Sequence, residues 1–356
     1  MKILIAPDSF KGSLSAGEVC EIISDSLSEI NGIETVSLPL SDGGEGFGKC
    51  CCDCCKGNTL YEKFSDIYNN TISAPVYFCN DKAIIECASA CFLQKKRNVM
   101  EASSFGTGQQ ILFAYEKGYR KFIIGLGGSG MCDGGTGALA ALGAIFYDDK
   151  SNVIPFPAGK DMSRISKIEY GDKITKIADE CSFTYACDVE NPYFGKNGAA
   201  YVFAPQKGAD EKQVKELDDG LRNVAKLFKR DISLIPGSGA AGGLCGGLLA
   251  VLGGKTESGF DIIAELADLE SHIKEADIVV TGEGKTDYQT LMGKLPFKVA
   301  SLTKKYNKRC VLISGDSDST VIGDKQITLT DENTTVEDAI KNCRKLLFAK
   351  AKYILQ

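Results

Sequence analysis

Five short apolar runs in this chain end in acidic residues set among glycines, lysines or hydroxyls, and this pattern limits the fold more than any other feature. Asp8 follows Lys2 to Ala6, and Asp42 follows Glu34 to Leu38. Asp133 follows Lys121 to Leu126, Asp188 follows Phe183 to Cys187, and Glu283 with Asp287 follow Asp277 to Thr281. Short apolar runs bounded by turn formers read as buried strands, and such strands belong to sheets covered by helices. Ligands of open α/β sheets bind at the carboxyl ends of the strands. There glycines let backbone amides approach an anion, and carboxylates can hold a hard cation. A single loop of this kind is as well explained by helix caps and turns. Five together point to a site for a multiply charged ligand.

The order of elements predicts two domains, as the 356-residue length also does. After the first strand, Ser15 and Glu18 form a capping-box pattern, Val19, Ile22, Ile23, Leu27 and Ile30 follow at helical spacing, and Gly32 ends the helix. Strand, helix and strand make half of a doubly wound unit. The strands that complete it lie at the far end, at Asp277 to Thr281, Cys310 to Ser314 and Gln326 to Leu329, with a helix from Pro296 to Tyr306. Residues 1–65 and 263–356 are therefore expected to form one Rossmann- or flavodoxin-like parallel-sheet domain. Residues 66–262 are expected as an inserted mixed-sheet α/β domain. In the insert, Ile72 to Cys79 and Ala83 to Cys87 flank an Asn80-Asp81-Lys82 turn, Phe183 to Cys187 and Ala200 to Ala204 read as strands, and Glu211 to Lys229 reads as an amphipathic helix.

Composition removes whole classes of function. The net charge of −6 gives no reason to bind nucleic acid or an anionic membrane. Pro7-Asp8 interrupts the N-terminal run before a signal-peptide core can form, and no apolar run reaches membrane-spanning length, so a cytoplasmic protein is expected, with monomer or homodimer left open. The single histidine, His272, sits in a polar helical stretch. Ser-His-Asp hydrolysis and multi-histidine metal sites are thereby set aside, and carboxylates, lysines, hydroxyls and backbone amides are left to carry the chemistry.

Two glycine loops resemble dinucleotide fingerprints, Gly125 to Gly130 and Gly237 to Gly242. Asp148 and Asp149 lie near the place of a ribose-binding acid, which keeps an NAD-dependent oxidoreductase open as an alternative; a non-catalytic sensor of sugar acids or phosphate is another. Against the first, Asp133 puts an anion beside the supposed pyrophosphate. Gly284-Lys285-Thr286 is not the end of a P-loop, because Val279 stands where its glycine is required. The Cys50-Cys51-Cys52-Asp53-Cys54-Cys55 run reads as core packing on a helix rather than as a metal site.

Taken in order, the segments Ala6 to Ser15, Leu40 to Gly46, Phe105 to Gly108, Gly125 to Gly135, Ala186 to Pro192, Pro205 to Ala209, Pro236 to Gly243 and Thr281 to Lys294 resemble the type-1 glycerate kinase family. The resemblance runs from residue 1 to about 315, with Cys132 standing where the family usually has Asn. It implies ATP-dependent phosphorylation of glycerate, with Mg²⁺, in two unlike α/β domains enclosing a cleft. On that footing Asp188, Lys11 and Asp287 are expected in catalysis, and Asp8, Ser9, Asp42, Glu45, Asn191, Lys207 and Lys294 on the substrate. Gly127, Gly128, Ser129, Gly130, Asp133, Gly239 and Gly242 are expected on nucleotide phosphates, and Asp42, Glu283 and Asp287 on Mg²⁺.

Overall fold

A computed structural model describes residues 1–44, 46–318, 320–331 and 334–356. In chain order its strands are β1 (Lys2–Ile5), β2 (Glu34–Ser37), β3 (Asn58–Ser65), β4 (Thr71–Cys79), β5 (Lys82–Glu86), β6 (Lys121–Gly125) and β7 (Ala144–Asp148). They continue with β8 (Ile165–Tyr170), β9 (Ser182–Ala186), β10 (Lys255–Glu257), β11 (Ile278–Thr286), β12 (Arg309–Ser317) and β13 (Lys325–Thr328). The chain divides into two compact units. One comprises Met1–Asp42, Lys49–Lys56 and Phe260–Gln356, the other Gly43–Gly48 and Gly57–Gly259.

The first unit is built on five parallel strands in the order β13-β12-β11-β1-β2. From β1 the chain steps outward to β2, and from β11 it steps the other way through β12 to β13. The strand order therefore reverses between β1 and β11. Successive side chains of a strand point to opposite faces, so this sheet needs cover on both. On one face Val280, Val311 and Ile313 pack with Val19, Ile23 and Leu27 of helix Ala16–Ser28 and with Leu347 and Ala351 of helix Cys343–Ala351. On the other, Cys310 and Leu312 pack with Ala300 of helix Leu295–Lys305.

The sequence signals for the first helix hold in detail: the Glu18 amide donates to Ser15 Oγ at 3.3 Å, and the Ser15 amide donates to Glu18 Oε2 at 3.0 Å. The C-terminal segment is part of the same core, since Ser26 Oγ donates to Phe348 O at 2.7 Å across the two helices.

The second unit has a six-stranded sheet in the order β10-β9-β6-β5-β4-β3. β10, β9, β6 and β5 run parallel, and the β4–β5 hairpin and β3 add antiparallel pairing. Asn80 takes a left-handed φ of 54° at the hairpin turn, a conformation asparagine tolerates better than most residues. Phe122 of β6 stacks on Phe183 of β9 with ring centroids 5.0 Å apart. The helix Glu211–Leu227 opens on the Asp210 cap and buries Val214, Leu217, Leu221 and Val224. β7 and β8 form a separate antiparallel pair that the sequence pattern did not disclose.

Residues 58–65, read from sequence with the first domain, form β3 at the edge of the second sheet. The run Ala200 to Ala204, read as a strand, lies in helix Ala199–Phe203 and its cap. Its burial explains the difference: Ala199, Ala200 and Ala204 are buried while Tyr201 and Val202 are exposed, a helical rather than alternating pattern.

In the cysteine run, Cys50, Cys51 and Cys52 are buried, and Cys50 and Cys54 direct their sulfurs to the Leu40 and Pro39 carbonyls. Among the described residues no group of three His, Cys, Asp or Glu side chains is placed to hold a metal. Among them, too, no helix is long and apolar enough to cross a membrane.

Candidate active site

In the first unit the carboxyl ends of β1, β2 and β11 carry the predicted acids. The Asp8 amide donates to Gly282 O at 2.9 Å, and the Leu40 amide donates to Pro7 O at 3.0 Å, so the loops after β1 and β2 are fixed to neighbouring backbone. Glycine is required on β11: a Cβ at Gly282 would lie 2.3 Å from Ile313 O, and one at Gly284 would lie 3.1 Å from the Lys11 amide.

Burial pushes the Asp8 carboxyl up to about 7, and the negative charges of Asp42 and Glu283 add to that; the Ser9 amide, donating at 2.6 Å, opposes it. Asp8 is therefore a proton acceptor poised near neutrality, set at the reversal of strand order, where open sheets bind ligands. Glu283 is buried and accepts from Thr290 Oγ1 at 2.7 Å and Thr286 Oγ1 at 3.2 Å. Burial raises its proton affinity, against the pull of Thr290 and of the Lys294 charge.

Asp287 caps the turn Tyr288–Met292, accepting from the Gln289 amide, and Lys294 Nζ lies 3.3 Å from the same carboxylate. Lys11 is exposed on the loop after β1. The first unit thus gathers Asp8, Ser9, Asp42 and Glu283, with Asp287 and Lys294 farther along the segment that leaves β11. Glu45 lies outside the described residues.

The second unit gathers the remaining predicted residues at the ends of its parallel strands. Asp188, just past β9, accepts from the Gly259 amide at 3.2 Å and lies beside Gly43. In the loop after β6, the Gly127 amide donates to Gly43 O at 3.2 Å, and the Gly130 amide to Cys91 O at 2.8 Å. Gly128 takes a left-handed φ of +71°. Ser129 and Lys207 are both buried, and Lys207 donates to Ser129 Oγ at 3.1 Å and to Met131 O at 2.7 Å. Burial lowers the Lys207 proton affinity. Its ammonium thus braces the glycine loop from behind.

Asp133 is fully buried and accepts from the Ser104 amide and hydroxyl and from the amides of Gly135 and Gly137. It thereby ties the start of helix Thr136–Ala141 to Ser104. The Gly239 amide donates to Asn191 O, and Asn191 Nδ2 donates to Asn197 O. Gly242 O accepts from the Gly134 amide, and a Cβ on Gly242 would sit 2.2 Å from Met131 O. These three loops are knitted to one another through backbone contacts.

Sequence reasoning missed Glu86. It is buried at the end of β5, where it accepts from the amides of Gly46 and Gly48 at 2.9 and 3.1 Å. The signal was present, an acid closing an apolar run, but no glycine flanks it.

Acids flanking a reversal of strand order, one of them titrating near neutrality, with a lysine–aspartate pair downstream, define an α/β protein built to bind a small charged ligand at its strand ends. Comparison with known proteins narrows this class. The model of the glycerate kinase family matches residues 3–356, and the chain belongs to that family. The match extends past residue 315, so the C-terminal segment is part of the family pattern.

A glycerate kinase of Bacillus cereus is 38% identical, with 99% of this chain and 97% of the relative covered. A glycerate 2-kinase of Escherichia coli K12 is 39% identical over 88% of this chain and 85% of its own length. A crystal structure of a Salmonella typhimurium LT2 protein given the name glycerate kinase 2 superposes with a TM-score of 0.87 at 35% identity, covering 99% of this chain and 97% of that one.

Proposed function

We propose that this chain transfers the γ-phosphoryl group of ATP to a hydroxyl of glycerate, with the 2-hydroxyl as the favoured acceptor. The observation that carries the reading is the position of Asp8 and Glu283 on either side of the β1–β11 reversal, where burial, with the Asp42 and Glu283 charges adding to it, raises the Asp8 carboxyl to about 7. Relatives bearing glycerate kinase names give that site its substrate class.

In the transfer, the glycerate hydroxyl oxygen forms the new bond to the γ-phosphorus as the bond to the β-phosphate oxygen breaks, and the hydroxyl proton passes to a carboxylate. Asp188 is assigned to orient or deprotonate the hydroxyl, with Asp8 a second acceptor of suitable proton affinity. Lys11 and Lys294 are the cations assigned to phosphate or carboxylate oxygens. Such chemistry asks chiefly for positioning and charge neutralisation.

The donor set suits a magnesium ion that arrives with the nucleotide. The acids offer hard oxygen ligands, yet no three of the described side chains form a cage, and Mg²⁺ commonly takes one or two carboxylates together with substrate phosphates. Asp42, Glu283 and Asp287 are the candidates, of which one or two would hold it together with the phosphates. When bound, the ion neutralises charge on the phosphates.

A coupled ADP-release assay with glycerate, followed by NMR of the product, tests the reading. Glycerate-dependent ADP release with phosphate on C2 is expected, together with thermal protection by ATP and Mg²⁺. Absence of glycerate-dependent release, or protection by a nicotinamide dinucleotide instead, overturns it.

A further inference from the structure

The first unit holds a concavity apart from the strand-end acids of β1 and β11. A cavity of about 670 Å³ opens at the carboxyl ends of β12 and β13, lined by Asp316, Gln326, Thr328 and Thr330, with Val321 and Val336 among its walls. It lies wholly in the C-terminal segment, beyond the motifs that carry the family resemblance. We infer that this cavity receives the nucleoside end of ATP, on the unit that carries Glu283 and Asp287. The inference rests on the proposed kinase reading and deepens it by locating the nucleotide.

A triphosphate or a glycerate carboxylate needs cations around it, and the lining includes no lysine or arginine. Its two carboxylates are each matched by a lysine: Lys285 Nζ lies 3.8 Å from Asp316, and Lys350 Nζ lies 3.2 Å from Asp331. Lys350 is spent further on the Thr328 and Leu329 carbonyls. What remains is a charge-balanced wall of hydroxyls, carboxylate oxygens and one amide. Such a wall suits a neutral ligand rich in hydroxyls and ring nitrogens, as a ribose joined to a purine is. The volume falls in the range of pockets that enclose ligands of that size.

The rim of the cavity is apolar. Val321 is 70% and Val336 49% exposed, on opposite sequence flanks of β13. Exposed valines beside a polar floor provide the apolar contact that a flat base requires, while the hydrogen-bonding groups below fix its orientation.

β12 pairs with β11 in parallel, with Lys285 opposite Asp316 and Thr286 opposite Ser317. Paired strands stand about 4.8 Å apart. A nucleoside seated over β12 and β13 therefore sends its phosphates over the next strand, toward Lys285 and the Asp287–Lys294 pair. Thr330 Oγ1 donates to Asp316 Oδ1 at 3.0 Å and Gln326 Nε2 donates to Ser317 Oγ at 2.8 Å, so the floor is ordered by its own contacts.

Photolabelling of the full chain with 2-azido-ATP, followed by peptide mapping, tests the placement directly. Label on the peptides spanning residues 316–336, suppressed by excess ATP, is expected. Label confined to peptides of residues 125–135 or 237–243 overturns it. A kinetic arm uses Val336→Trp, an exposed rim position where a larger side chain does not disturb the core. The KM for ATP should rise about tenfold while the KM for glycerate stays within about twofold; equal KM values for ATP in variant and wild type would reject the site. ATP-protected labelling of 316–336 in a protein that turns over no glycerate would sustain this inference and defeat the proposed function, whereas glycerate phosphorylation with label elsewhere would do the reverse.

Discussion

The backbone amide of Asp8 donates to the carbonyl of Gly282 at 2.9 Å, and so locks the loop after β1 to β11 across the point where the strand order reverses. The Asp8 carboxyl is buried there, and the Asp42 and Glu283 charges add to that burial, so an ordinary aspartate acquires a proton affinity near neutrality.

Replacing Asp8 with asparagine should raise stability, and only at the higher pH values. The folded-state pKa of about 7 exceeds the ordinary value of 3.8. The folded protein therefore keeps a proton that the unfolded chain releases, a stabilisation present below pH 3.8 and lost as pH rises through 7. Above pH 7 the wild type bears the full cost of ionised Asp8, which Asp8→Asn avoids. At about 1.4 kcal/mol per pKa unit, the variant should gain up to ~4 kcal/mol at pH 8 and little at pH 4. Urea unfolding at both pH values measures it; a gap of equal size at the two would refute the assignment.

Gly127 is expected to tolerate no side chain. A methyl there would sit 2.5 Å from Gly44 Cα and 2.9 Å from Gly43 O, and neither backbone atom can step aside cheaply. Gly127→Ala should lose about 1–3 kcal/mol. Gly17, inside helix Ala16–Ser28, has nothing within 4 Å of its missing Cβ, so Gly17→Ala should gain about 0.5 kcal/mol. Melting curves of the pair should move in opposite directions.

Glu86→Ala removes the acceptor for two buried-side amides, Gly46 and Gly48, and leaves them without that carboxylate. A loss of about 1–3 kcal/mol is expected. Hydrogen exchange at Gly46 and Gly48 should quicken in step; unchanged exchange there would show that the carboxylate does not hold this segment.

Asp188→Asn should fold normally and turn over slowly. The amide oxygen can still accept from the Gly259 amide, now at 3.2 Å, while proton uptake is lost. General-base assistance contributes ~10²–10⁴-fold, so kcat should fall within that range with an unchanged melting temperature. A variant with wild-type kcat would transfer the role to another carboxylate.

Where local signals agreed with tertiary packing, the sequence was informative. Ser15 and Glu18 announced their helix because the capping box is satisfied within four residues, and the Asn80 turn announced its hairpin for a similar reason. The joining of both chain ends in one sheet was also readable, since β1 and β2 alone cannot bury their faces. Ala200 to Ala204 misled because five apolar residues carry no period long enough to separate strand from helix, and burial of the alanines decided it.

Among the site residues, the strand-end acids were legible by position. The raised proton affinity of Asp8 was not, because it depends on burial in the folded unit and on charges that arrive from residues 42 and 283. Nor was the engagement of Lys207 with Ser129 and Met131, since a lysine in sequence looks the same whether its ammonium faces water or a carbonyl.

The first sheet closes only when β11, β12 and β13 join β1 and β2, and every residue of the second unit is synthesised before those strands are. On the ribosome the inner unit can reach its final form while the opening strand still lacks β11 on one side, a long-range pairing that slows folding and lengthens exposure to chaperones. The residues that emerge earliest are thus among the last to be sheltered.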